Sequence, residues 1–178
     1  MKMLPLEQGE VDGLCGTYAL LNALRLVVNG RISENAAINL FGTIMQHVEK
    51  RKSLGKVCTK GIVTSDVWSI LKKVLCVKYK INVKRPFRKT DKISVSEFIN
   101  ELRKYFTQDG KRSAIISIEG NGWDHWTVVR AITKNSILLF DSAMMKKISI
   151  SKCTFSKKFK RKILIIPHDT FYVYQKEK

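Results

Sequence analysis

Apolar side chains recur at helical spacing through the first part of the chain. From Leu14 to Asn29 they cover most sides of a predicted helix, which indicates a buried element, and Gly30 is expected to end it. A second helix is expected to begin at Ser33, because the apolar positions that follow it keep to one face. The basic run Lys50-Arg51-Lys52 suits the end of that helix.

Two further helices are predicted before residue 110. The third is expected from about Ser65 to Val77, after a loop that holds Gly55 and Gly61. The fourth is expected from Val95 to Phe106, because the sequence Ser94-Val95-Ser96-Glu97 is a capping box.

After Gly110 the pattern changes to short runs rich in β-branched residues, and turn residues lie between these runs. These runs predict strands of an antiparallel sheet at 113–118, 126–132, 136–140 and 162–166, and segment 77–83 is a candidate for one more. Helices come first and strands second, so we expect an α+β fold. We expect one domain over 1–178, with a helical half of about 1–110 and a sheet half of about 111–178.

The composition is that of a globular protein. Hydrophobic residues make up 44% of the chain and charged residues 27%, which excludes overall disorder. The longest apolar run, 18–24, contains Asn22 and is too short for a transmembrane segment. The first residues lack the features of a secretory signal, so we expect a cytoplasmic protein or one delivered by a non-classical route.

The net charge of +18 is concentrated in two segments. Residues 72–92 hold nine Lys and Arg against one Asp, and residues 146–162 hold eight with no acidic residue. Such segments form a basic face or two basic arms that would attract an acidic partner: nucleic acid, an acidic protein surface or anionic lipid. The alternative is that lysine simply fills ordinary exposed positions, and no RNA-binding or helix-turn-helix pattern accompanies the charge.

The four cysteines show no CxxC spacing and no nearby histidine in a finger-like pattern; they are Cys15, Cys58, Cys76 and Cys153. We therefore expect no metal site and no cofactor. Two disulfides are possible by number, but without a secretory signal free thiols are favoured.

Cys15 differs from the other cysteines because it lies at the start of the first helix, followed by Gly16. The positive end of the helix dipole favours the thiolate, which is the nucleophilic form. Gln8 precedes it in a loop, and its amide could join the backbone N–H of Cys15 in an oxyanion hole. Glu10 and Asp12 in this loop could favour a basic group on the substrate or, as we slightly prefer, keep the loop solvated.

A cysteine nucleophile needs a histidine, and the chain has three. His47 falls inside the second predicted helix and His168 in a predicted C-terminal loop, whereas His125 follows a glycine turn at the start of a strand. Asp141 ends the next strand. An antiparallel hairpin turning at 134–135 would place His125 and Asp141 side by side, so that the carboxylate orients the imidazole.

This order of residues, with a helical half before a sheet half, resembles the papain-like cysteine peptidase superfamily. The matching positions are Gln8, Cys15, His125 and Asp141. Within that superfamily the chain is most similar to the compact bacterial branch that includes the bacteriocin leader-processing peptidases. The resemblance implies a papain-like fold and hydrolysis of a peptide or isopeptide bond by a Cys-His-Asp triad through a thioester. The candidates for the substrate cleft are Gly13, Gly122, Trp123, Asp124 and Trp126.

Other functions remain open at this point. Each residue taken singly could be structural, because a cysteine in an apolar helix is often a core residue. The same chemistry could deamidate or crosslink a protein glutamine, or process a ubiquitin-like protein. In a different class, the chain could be a non-catalytic, basic nucleic-acid-binding protein on the same fold.

Overall fold

The computed structural model describes residues 3–10, 12–28, 32–90 and 92–175. The predicted helix stop, Gly30, lies outside these residues. The helices are α1 Cys15–Val27, α2 Glu34–Glu49, α3 Leu54–Lys60, α4 Thr64–Ile70, α5 Cys76–Tyr79 and α6 Val95–Phe106, with a π-helical turn, Leu71–Leu75, joining α4 to α5. The strands are β1 Asn82–Lys84, β2 Lys111–Gly120, β3 Trp123–Ile132, β4 Ser136–Leu139, β5 Lys147–Ser149, β6 Cys153–Thr154 and β7 Ile163–Gln175.

Serine side chains begin two of the helices as their sequences predict. The Ser33 hydroxyl accepts the backbone N–H of Ala36 at the start of α2. At the start of α6, the Ser94 hydroxyl accepts the N–H of Glu97, whose carboxylate accepts the N–H of Ser94 in return. These caps satisfy backbone donors that the first helical turn leaves free.

The prediction of a loop around Gly55 was wrong, since Gly55 lies in the short helix α3. Glycine is a weak helix former, but here Val57 is fully buried against the core and stabilises the turn. The third predicted helix is present over residues 64–79, as α4, the π-helical turn and α5 in succession.

The sheet has seven strands in the order β1-β7-β2-β3-β4-β5, with β6 paired to β7 outside this path. All pairs are antiparallel except β6 with β7, which is parallel. The α+β expectation is confirmed. Strand β7 is much longer than predicted, so His168 lies in a strand, where the register with β2 shifts, and not in a loop.

The two faces of the sheet bury two separate hydrophobic cores. Ile115 and Val128 face the core that contains α1, α2 and α4, whereas Ile116 and Val129 face the core under α6. This alternation follows from the two-residue period of a strand. Helix α1 is buried almost all round, because it lies between the other helices and the sheet.

All four cysteines are free thiols. Within the described residues, no helix has the length and apolar character needed to cross a membrane, and no group of three His, Cys, Asp or Glu side chains could hold a metal ion.

Candidate active site

Helix α1 begins at Cys15, at the end of a tight loop that starts at Gln8. Asp12 organises this loop. Its carboxylate accepts the backbone N–H of Gly9 at 3.1 Å and that of Leu14 at 3.0 Å, and its backbone carbonyl accepts Nε2 of Gln8 at 2.5 Å. The Asp12 carboxylate is therefore engaged within the loop, a role that the sequence analysis missed.

Strands β3 and β4 bring His125 and Asp141 together. The register of the hairpin pairs Val129 with Leu139 and leaves Asp141 just beyond the end of β4. Nε2 of His125 lies 2.7 Å from Oδ1 of Asp141. The side chain of Asp141 is completely buried and that of His125 is 11% exposed, so water is largely excluded from this hydrogen bond.

Both carboxylate oxygens of Asp141 are held by donors. While Oδ1 faces His125, Oδ2 accepts the backbone N–H of Ala143 at 2.9 Å and that of Met145 at 3.2 Å. Burial raises the pKa of Asp141, but the hydrogen bond and charge of His125 and the backbone donor outweigh burial, so the pKa is lowered. Asp141 is thus ionised at neutral pH.

The second nitrogen of the His125 ring is available for Cys15. A carboxylate only accepts hydrogen bonds, so Nε2 of His125 carries the hydrogen toward Asp141 and Nδ1 remains to bond the Cys15 side chain. Burial lowers the pKa of His125, but the hydrogen bonds and charges of Asp141 and Cys15 outweigh it and raise the pKa to about 9. The imidazole is therefore protonated at neutral pH when a thiolate faces it.

Glycine beside Cys15 permits close packing. A Cβ added to Gly16 would lie 2.5 Å from Cγ1 of Ile62 and 3.1 Å from Cδ1 of Trp126. The indole N–H of Trp126 donates to the carbonyl of Ile62 at 3.0 Å. Ile62 and Trp126 therefore pack the first turn of α1 against the sheet.

A groove of ≈ 520 Å³ adjoins this packing through Ile62 and Trp126, and its walls do not include Gln8, Cys15, His125 or Asp141. Its walls include four of the five predicted cleft residues: Gly122, Trp123, Asp124 and Trp126. Gly122 has φ 81°, which its turn requires, and Trp123 is 41% exposed. The walls also include Ile62 and Val63, which sequence reasoning missed because their contact with the sheet is non-local.

The fifth predicted cleft residue, Gly13, does not line the groove. Its N–H donates to the carbonyl of Cys58 at 2.6 Å, and an added Cβ would lie 3.0 Å from the backbone nitrogen of Gly61. Gly13 thus permits the nucleophile loop to contact a neighbouring backbone.

Gln8 is anchored at the edge of the site. Its backbone N–H donates to the carbonyl of Ser142 at 3.0 Å, next to Asp141, and one hydrogen of its amide is taken by Asp12. The amide carries a second hydrogen, which this bond to Asp12 does not use.

The other histidines lie apart from this arrangement. His47 bonds the Ser69 hydroxyl at 2.9 Å, and the His168 carbonyl accepts a hydrogen bond from Arg85.

One family model matches the chain. The model of the Peptidase C39 family matches residues 88–170, a range that includes His125 and Asp141, whereas Gln8 and Cys15 precede it. Neither the curated proteins nor the solved structures contain a match. The match to the Peptidase C39 family confirms the resemblance to papain-like cysteine peptidases that was drawn from the sequence.

Proposed function

We propose that the chain, a papain-like cysteine peptidase, hydrolyses a peptide or isopeptide bond through a Cys15-His125-Asp141 triad and a thioester acyl-enzyme. The observation that supports this proposal most strongly is the buried hydrogen bond between Nε2 of His125 and Asp141 at 2.7 Å, in a ring whose pKa the Cys15 side chain also raises. That arrangement is the one an activated cysteine nucleophile requires.

Acylation would proceed in two stages. The Cys15 thiolate attacks the carbonyl carbon, so that an S–C bond forms and the carbonyl π electrons move onto oxygen. Collapse of this tetrahedral intermediate breaks the C–N bond, and His125 donates its proton to the leaving amine. A water molecule, deprotonated by His125, then attacks the thioester and releases the carboxylic acid and the thiol of Cys15.

Gln8 and the backbone N–H of Cys15 are the proposed oxyanion donors. The amide hydrogen of Gln8 that Asp12 leaves free supports this role, as does the location of Cys15 at the first turn of α1, where backbone N–H groups lack helical partners. Losing one such donor costs about 3 kcal/mol of transition-state stabilisation.

The groove lined by Ile62 and Trp126, the two side chains that pack on Gly16, is the proposed binding site for the substrate chain. Trp123 provides an exposed apolar wall and Asp124 an exposed carboxylate, while Gly122 leaves room for a backbone to approach. Trp126 also lines the groove, although most of its side chain is buried.

Limited labelling with iodoacetamide, followed by mass mapping, tests the triad. We expect Cys15 to react first among the four thiols at neutral pH, and His125→Ala to slow that reaction selectively. The buried Cys153 serves as an internal reference, since burial raises its pKa to about 11. Uniform slow labelling of all four cysteines would contradict the proposal.

A peptide library tests the reaction itself. We expect cleaved products with wild type and none with Cys15→Ala, whose fold is checked by circular dichroism. Mass spectrometry distinguishes chain cleavage from conversion of a glutamine side chain, the outcome that would favour a deamidase or transglutaminase.

A second proposal concerns an acidic partner on the basic segments. Strand β1, from segment 72–92, pairs with residues 172–174 of β7, and β6, from segment 146–162, pairs with residues 163–164 along the same side of β7. Parts of both segments, residues 82–84 and 153–154, therefore lie along one edge of the sheet, whereas residues 147–149 of the second segment form β5 at the opposite edge. All eight basic residues of 146–162 are exposed. Lys157 pairs with Glu119 at 3.3 Å, and the other seven have no ion pair among the described residues, so their charges are free for an acidic protein surface or nucleic acid.

Fluorescence anisotropy with a DNA duplex, measured over a range of salt concentrations, tests this second proposal. We expect affinity to fall linearly with salt on logarithmic axes, and to weaken when Lys157, Lys160 and Lys162 are changed to Glu. Competition by polyglutamate, with no preference for the duplex, would indicate an acidic protein surface. Binding without dependence on salt would contradict the proposal.

We also propose that the helical and sheet halves form one domain. Helix α1 lies in one continuous core with residues of β2, β3 and β7, which supports this proposal.

A further inference from the structure

The proposed oxyanion hole draws its two donors from opposite ends of a loop. Gln8 begins the loop and Cys15 ends it, and Gly9 and Gly13 lie between them. Glycine gives a loop conformational freedom, which works against a fixed spacing between two donors. Stabilisation of an oxyanion needs donors that are already in place, so an additional residue must hold the loop.

Asp12 is placed to hold it. One oxygen of its carboxylate accepts the N–H of Gly9, beside Gln8, at 3.1 Å, and the other accepts the N–H of Leu14, beside Cys15, at 3.0 Å. The carbonyl of Asp12 accepts the Gln8 amide itself at 2.5 Å. One residue thus connects the side chain of the first donor with the backbone that precedes the second.

The ends of the loop are anchored independently of Asp12. The N–H of Gln8 donates to the carbonyl of Ser142, and the N–H of Gly13 donates to the carbonyl of Cys58. Loss of the Asp12 carboxylate would therefore leave the loop attached at both ends. What it would remove is the fixed distance between the Gln8 amide and the Cys15 N–H.

We infer that Asp12 is a positioning residue of the oxyanion hole, which orients the Gln8 amide relative to the backbone N–H of Cys15. The inference rests on the proposed function. Hydrogen bonds from N–H groups to a carboxylate are stronger than those between neutral groups, which suits a residue that must hold a flexible loop.

Two reactions of Cys15 separate this role from a general structural one. With 4-nitrophenyl acetate, the thiolate forms a thioester, an oxyanion develops on the acetyl oxygen, and 4-nitrophenolate leaves. With iodoacetamide, the thiolate forms an S–CH₂ bond, iodide leaves, and no oxyanion develops. A residue that positions the oxyanion hole affects the first reaction and spares the second.

We expect Asp12→Ala to slow the Cys15-dependent release of 4-nitrophenolate by about tenfold or more, and Gln8→Ala to slow it by about 10²-fold. Alkylation by iodoacetamide should stay within about twofold of wild type in both variants. Asp12→Asn keeps one acceptor oxygen, so its rate of 4-nitrophenolate release should fall less than that of Asp12→Ala. The asparagine variant replaces the alanine variant in the test if the latter does not fold. Glu10→Ala, which removes an exposed carboxylate from the same loop, should behave as wild type.

The double variant Gln8→Ala/Asp12→Ala completes the test. If Asp12 acts through Gln8, the double variant should be within about threefold of Gln8→Ala alone. The positioning role would be overturned if the rate losses of the two single variants multiplied in the double variant. It would also be overturned if Asp12→Ala slowed acylation and alkylation equally. If wild type shows no release beyond that of Cys15→Ala, the proposed function itself is overturned, and the role of Asp12 with it.

Discussion

Asp141 is held from two sides, with one carboxylate oxygen 2.7 Å from Nε2 of His125 and the other bound by the backbone N–H groups of Ala143 and Met145. The carboxylate therefore cannot rotate away from the imidazole without losing buried hydrogen bonds. In the neutral ring this places the hydrogen on Nε2 and leaves Nδ1 as the acceptor.

The first prediction concerns Asp141→Asn. Without the carboxylate, the pKa of His125 should fall from about 9 toward its ordinary value of 6.5, because burial lowers it and only the Cys15 side chain is left to raise it. NMR titration of the ring measures this change, with His125→Ala used to assign the resonance. Peptidase activity should fall by up to about 10⁴-fold, because the amide stabilises the wrong tautomer. A ring that still titrates near 9 would show that Asp141 does not control it.

The second prediction concerns stability against pH. The folded-state pKa of His125, about 9, lies above its ordinary value of 6.5, so its contribution to the free energy of unfolding is complete below about pH 6.5 and is lost as pH rises through 9. Urea denaturation of wild type and His125→Gln at pH 6, 7.5 and 9 measures the contribution. We expect the two proteins to converge as pH rises. A constant difference between them would contradict this prediction.

At acid pH the contribution of Asp141 to the free energy of unfolding depends on pH in the opposite direction. The pKa of Asp141 is lowered from its ordinary value of 3.8, so its contribution is present above that value and is lost as pH falls below it. The same series extended to pH 3 should show wild type losing its advantage over Asp141→Asn.

The third prediction compares two helical glycines. Gly16→Ala would place a Cβ 2.5 Å from Ile62, whereas Gly42, in α2, has nothing within 4 Å of that position. We expect Gly16→Ala to destabilise the fold by about 1–3 kcal/mol through overpacking, and Gly42→Ala to stabilise it by about 0.5–1 kcal/mol through helix propensity. Thermal or urea unfolding measures both.

A companion variant identifies the cause of the Gly16 effect. Ile62→Ala removes the nearest side-chain atoms, so adding Gly16→Ala to that background should cost less than it does in wild type. If the cost is unchanged, the contact with Ile62 is not its source.

Local patterns were enough to predict the pair of His125 and Asp141. Both lie in one hairpin, where a turn and a two-residue period fix which residues meet. The helix start at Cys15 is equally local. These positions could be predicted because each depends on residues that are near in sequence.

Non-local contacts explain what could not be predicted. Helix α3 contains glycine and depends on burial of Val57 against distant elements. The extension of β7 past Pro167 depends on pairing with β1 and β2. Asp12 had an ordinary loop signature, and only the folded path of the loop shows which N–H groups its carboxylate binds.

The last prediction concerns the groove. The indole of Trp123 lies over Gly120, where an added Cβ would come within 2.1 Å of its ring atoms. If this indole binds the substrate chain, Trp123→Ala should raise KM about tenfold, with kcat nearly unchanged, because a contact made equally in the ground and transition states affects binding alone. Gly120→Ala should produce the same shift, because the added Cβ displaces the indole.

Steady-state kinetics on a peptide selected from the library with wild type measure both constants. Phe159→Ala is the matched control, since Phe159 is also an exposed aromatic residue but is absent from the walls of the groove. It should leave KM unchanged. An equal rise in KM for the control would indicate a general effect of removing surface aromatics, whereas a fall in kcat alone for Trp123→Ala would place that indole in the transition state and not in substrate binding.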